Sequence, residues 1–128
     1  MVSSTRSPVK SRLFWICALI TIASALTSAG FSLAALSSLG DAHTNALYAV
    51  SRSLSLAFGS LLVVFLHSRI GLMAVAFLMV LVQAGDAVIG ALINDPMKTY
   101  GPAFLAVVTG VVLFLLFRET SQLTSSKL

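Results

Sequence analysis

The sequence predicts an all-α polytopic membrane protein, an up-down-up-down bundle of four transmembrane helices with both termini cytoplasmic. Three observations carry that expectation. The 128 residues are 58% hydrophobic and only 9% charged, with a mean hydropathy of +1.01, whereas soluble domains have roughly 25% charged residues. The apolar residues fall into four stretches, each close to the ~20 residues that cross a hydrocarbon core about 30 Å thick. The basic residues stand at the ends of those stretches rather than on one face or tail, so the formal charge of +4 points to orientation in a membrane and not to nucleic acid.

Residues 1–12 are polar, basic and Ser-rich with Pro8, and read as a flexible tail ending at a membrane surface. The first span is expected over 13–39. Arg6, Lys10 and Arg12 ahead of an apolar run, with Thr27-Ser-Ala29 inside it, also fit a cleaved signal peptide. The apolar character continues through Phe31-Ser-Leu-Ala-Ala-Leu36, so a retained helix is expected. Gly40 can end it in a left-handed conformation, and Thr44 or Asn45 can cap the second helix, expected over 46–66. The short His67-Ser-Arg69 connection implies a tight hairpin into a third helix over 70–93. Asn94-Asp95-Pro96 breaks that helix, because a residue before proline avoids the helical region. Gly101-Pro102 lies at the start of a fourth helix over 100–117, where proline is tolerated. The bundle thus occupies 13–117, and 118–128 reads as a polar C-terminal tail.

Lys and Arg near the span ends set the orientation. Arg6, Lys10, Arg12, Arg69, Arg118 and Lys127 share one side, against Lys98 on the other. The expectation is a multi-pass protein of the inner (plasma) membrane. Trp15 and Phe14 near one face, and Tyr48 and Tyr100 near the other, suit interfacial belts. The single Cys17 permits no intramolecular disulfide, and no His/Cys grouping has zinc spacing, so neither metal nor cofactor is expected.

Two ionisable residues interrupt the spans: Arg52 in the second and Asp86 in the third. Each costs roughly 2.5 to 3.5 kcal/mol on insertion scales, which makes them a candidate site. At about 1.5 Å of rise per residue both lie roughly 10 Å below the same outer surface, so an ion pair is geometrically plausible. Helical spacing adds Tyr48 and Ser55 beside Arg52, and Gln83 one turn deeper than Asp86. Asn45 heads the same stripe of the second helix, and Asn94 and Asp95, best explained as turn formers, could also line the mouth of an outer cavity. Ser28 and Ser32 continue a hydroxyl stripe on the first helix that includes Thr21 and Ser24. The same residues have a plainer reading: small and hydroxylated side chains let membrane helices pack closely, and an ion pair can serve only to fix helix register.

The segment Val82-Gln-Ala-Gly-Asp-Ala-Val-Ile-Gly90, followed by a turn and Gly101-Pro-Ala103, resembles small bacterial four-helix membrane proteins of the DUF4267 and DoxX-like kind. In those proteins a Gly-Asp-Ala step lies in the third span and an Arg commonly lies in the second. The resemblance implies an architecture and a polar membrane site, with Asp86 and Arg52 at the matching positions, rather than an activity.

The functional expectation is a polar pocket in the outer half of the bundle that binds a small lipophilic or anionic molecule. Arg52 would meet a carboxylate or carbonyl, Asp86 would hold Arg52 or accept a proton, and Tyr48, Gln83 and Ser55 would orient the ligand. A proton- or ion-coupled transporter acting as a homodimer, and an accessory subunit of a larger membrane complex, remain open. An enzyme is the weakest case, since only one intramembrane carboxylate is available for acid and base work.

Overall fold

The computed structural model describes residues 12–37 and 40–127, and among them the chain is all-helical. Helix α1 spans Arg12–Ala34 and runs into a 3-10 turn, Ala35–Ser37; α2 spans Asp41–Phe65, α3 Arg69–Leu92 and α4 Pro96–Ser125. All four contain a run long and apolar enough to cross a membrane, the shortest having 23 residues. At 1.5 Å per residue that run rises about 35 Å, more than a hydrocarbon core requires. The expected tail lies outside the described residues except for Arg12, which already opens α1.

The α2–α3 and α3–α4 connections are built alike. After α2, His67 takes φ 53°; its N–H donates to the Val64 carbonyl at 3.0 Å and the Ser68 N–H to the Val63 carbonyl at 3.0 Å. After α3, Asn94 takes φ 55°; its N–H donates to the Ala91 carbonyl at 3.2 Å and the Asp95 N–H to the Gly90 carbonyl at 3.0 Å. This is the paired bonding of a Schellman ending, in which a left-handed residue folds the chain back onto the last free carbonyls. The next residue then caps the following helix. Ser68 Oγ accepts the Gly71 N–H at 3.0 Å, and Asp95 Oδ1 accepts the N–H groups of Met97 and Lys98 at 3.1 and 3.2 Å. Stop and start signals packed into three residues make both turns tight.

Helix α1 gives way to the 3-10 turn at Ala35, short of the expected end at 39, and three further boundaries differ from the sequence expectation. Helix α2 starts at Asp41, not at 46, and Thr44 and Asn45 lie inside it rather than capping it. Gly40 precedes it at φ 70°, ψ −142° with no side-chain cap, a conformation open essentially to glycine alone. Helix α4 starts at Pro96, because Asp95 caps it and proline suits the first helical turn; Pro102 is therefore interior. A Pro102 N–H is not available to the Lys98 carbonyl one turn back. That carbonyl lies against Gly90 of α3, where an added Cβ would collide with it, so a glycine and a proline together bring α3 and α4 close. Helix α4 also continues past Phe117 to Ser125. The segment after Phe117 is polar but has no Gly or Pro to stop it, and Thr120 and Thr124 return their hydroxyls to carbonyls four residues back.

Helix α3 packs most extensively on α4, and α1 on α2, whereas α2 touches α3 much less. Toward the end of the bundle that carries Ser68 the interior is apolar, with Phe14, Cys17, Ala18, Leu72, Ala76 and Leu116 fully enclosed. Ala25, Ala57 and Met79 form a smaller cluster beyond it. Toward the end that carries Asp95 the interior becomes polar.

Candidate functional site

The polar half is assembled from small hydroxylated residues at helical spacing. On α1, Thr21, Ser24, Ser28 and Ser32 are all buried. Ser24 Oγ lies 3.2 Å from Thr109 Oγ1 of α4, and the Gln83 side chain of α3 donates to the Ser24 carbonyl at 3.4 Å. One turn on, Ser28 and Ser32 each lie 3.1 Å from Ser53 Oγ of α2. These bonds tie all four helices together where no apolar core does so.

Beyond this layer a cleft of about 610 Å³ opens, lined by residues of all four helices. Arg52 and Asp86 bridge it from α2 to α3. Arg52 Nη2 donates to Asp86 Oδ1 at 3.1 Å and to Oδ2 at 3.5 Å, so one nitrogen serves both oxygens. Nη1 and Nε have no hydrogen-bond partner among the described residues, although a guanidinium offers five N–H donors. The two side chains are 45% and 26% exposed, which places the pair at an open wall rather than inside packed protein. Asp86 Oδ2 likewise has accepting capacity beyond its long contact.

Of the residues singled out in the sequence, Arg52, Asp86, Gln83, Asn45, Ser28 and Ser32 line this cleft. Tyr48 and Ser55 do not. Tyr48 is 75% exposed, and the Ser55 hydroxyl turns back to its own helix, donating to the Ser51 carbonyl at 2.8 Å. The buried face of α2 is Ala46, Ser53, Ala57 and Ser60, rotated from the Asn45, Tyr48, Arg52, Ser55 stripe. Small side chains, not the most polar ones, mark where membrane helices meet, and that signal picks out Ser53. Asn94 and Asp95 are occupied by the α3–α4 turn and its cap. The Lys98 N–H and, less strongly, the Lys98 ammonium 3.4 Å away hold the Asp95 carboxyl below the usual aspartate range.

Lys98 lines the cleft as well, though the sequence marks it only as an orientation signal. A cation at each of two levels, Arg52 deep and Lys98 toward the mouth, faces one deep carboxylate. Among the described residues no group of three His, Cys, Asp or Glu side chains could hold a metal ion. The arrangement offers hydrogen-bond donors and positive charge beside apolar walls such as Phe31, Ile89 and Leu105. No family model, no curated protein and no solved structure matches the chain.

Proposed function

We propose that the chain is a multi-pass protein of the cytoplasmic membrane, crossing it up-down-up-down with both termini inside, and that its outward cleft binds a small amphiphile through an acceptor oxygen. The kinship with DUF4267 and DoxX-like proteins belongs to the same proposal. One observation carries the ligand reading: Arg52 meets Asp86 through Nη2 alone, leaving Nη1 and Nε without a partner among the described residues at a cleft wall that the proposed orientation sets about 10 Å inside the membrane, where unpaired donors are costly. A carboxylate or carbonyl oxygen on those nitrogens would complete the guanidinium. Asp86 then holds Arg52 in place, Asn45 and Gln83 supply further polar contacts, and the apolar walls take the hydrocarbon part.

Laurate is a suitable probe, with lauryl alcohol as its uncharged counterpart. Native mass spectrometry of the purified chain should show retained laurate, weakened about tenfold or more in Arg52→Gln, as expected for a lost charge-assisted hydrogen bond. Equal retention by wild type and variant overturns the reading. The accessory-subunit alternative finds less support, since the hydroxyl stripe of α1 is consumed inside the chain by Ser53 and Thr109. Transport with Asp86 as the coupling group needs the same cleft and adds proton release on binding, absent in Asp86→Asn.

A further inference from the structure

A second groove, of about 510 Å³, runs between α3 and α4 in the half of the bundle that carries Ser68. Its walls are Ile70, Met73 and Phe77 from α3 and Leu113, Phe114 and Phe117 from α4, several of them more than half exposed. Gly110 lines its deep end. From Ile70 to Phe77, and from Phe117 back to Gly110, the groove runs along about two helical turns, or ~10 Å, about two-thirds of one leaflet of hydrocarbon. Arg118 follows Phe117 just outside the lining of its shallow end, and its guanidinium carbon lies 6.0 Å from the centroid of the Phe114 ring.

Arg118 differs from the other arginine nearby. Arg69 is committed, with Nη1 3.1 Å from Thr120 Oγ1 and 3.7 Å from Glu119 Oε2. That pairing engages the carboxylate next to Arg118 in sequence, and Arg118 itself is exposed and forms no salt bridge among the described residues. An apolar channel that runs along the helix axes, as an acyl chain does beside membrane helices, therefore ends next to a cation that has no carboxylate partner among the described residues.

We infer that this groove is a binding site for an anionic phospholipid of the leaflet on the Ser68 side, with one acyl chain between Phe77 and Phe117 and the phosphate on Arg118. The Phe114 ring supports the guanidinium from below, as aromatic faces do for cations. The site is separate from the Arg52 cleft and uses none of its residues.

The test is native mass spectrometry of the full chain equilibrated with equal amounts of phosphatidylglycerol and phosphatidylcholine bearing the same acyl chains. Wild type should retain phosphatidylglycerol about five-fold over phosphatidylcholine, the weight of one interfacial cation. Arg118→Gln should remove that preference and Arg118→Lys should keep most of it. Ala74→Phe, at an exposed groove position, should reduce retention of both lipids by filling the channel. A wild type without preference, an Arg118→Gln variant that keeps it, or an Ala74→Phe variant that holds both lipids as before would each overturn the site. All three variants alter exposed side chains, so loss of fold does not confuse the outcome.

Discussion

The half of the bundle around Ser68 and the half around Asp95 use the same four helices to different ends. In the first, Phe14, Leu72, Ala76 and Leu116 leave no exposed surface, and the helices are held by shape. In the second, serines replace large apolar side chains, hydroxyl pairs replace close packing, and the interior opens into a cleft crossed by Arg52 and Asp86. Lipid is as apolar as leucine, so membrane helices gain little from hydrophobicity and rely on packing and interhelical hydrogen bonds. A half built on packing encloses its centre, and its α3–α4 groove stays on the outer surface. A half built on a few hydroxyl bonds can keep space between its helices at modest cost.

That contrast can be broken most strongly in the packed half. Phe14→Ala removes the largest fully buried side chain there and should destabilise the fold by about 2–3 kcal/mol, below the usual cost in water because the unfolded helices also remain in lipid. Thermal unfolding in detergent measures this, and laurate retention by the folded fraction should be unchanged. Equal loss of binding and stability would mean that the two halves are one unit. Ser53→Ala sharpens the other side of the comparison. It removes the hydroxyl that Ser28 and Ser32 share, and should cost about 0.6–1.7 kcal/mol, from the average to the largest value for interhelical bonds in a membrane protein, measured by the same unfolding in detergent.

The contrast was only partly legible in the sequence. Four apolar runs and their polar connections are legible because a spanning run has a length set by hydrocarbon thickness, and residue counting brings Arg52 and Asp86 to one level of the bundle, where they meet at 3.1 Å. Rotation about the α2 axis was not visible in the same way. Asn45, Tyr48, Arg52 and Ser55 repeat at helical spacing, and so do Ala46, Ser53, Ala57 and Ser60; the second set faces the interior because small side chains admit close approach. Arg52 can still reach the cleft from the flank of that face, since its long side chain extends past its neighbours. The start of α4 is hidden in the sequence for a different reason: two prolines, Pro96 and Pro102, compete for the first turn, and the cap on Asp95 decides between them.

The smallest expected effect lies at the Asp95 turn. Its carboxyl is held below the ordinary value by the Lys98 N–H, so its contribution to the cap is fully present above the unfolded aspartate range near ~4 and is lost as pH falls through the lower folded value. The sign follows from linkage, because the unfolded state binds the proton first. Asp95→Ala should flatten this part of the acid stability profile without changing laurate retention near neutral pH, as measured by unfolding across an acid series.

An experimental density map of the chain in lipid nanodiscs addresses the central contrast most directly. That map should show an apolar half without internal voids around Phe14 and Leu116, and in the other half non-protein density within about 3 Å of Arg52 Nη1 or Nε. A cleft closed by protein side chains over the Arg52–Asp86 pair, with nothing bound beside the guanidinium, would contradict it.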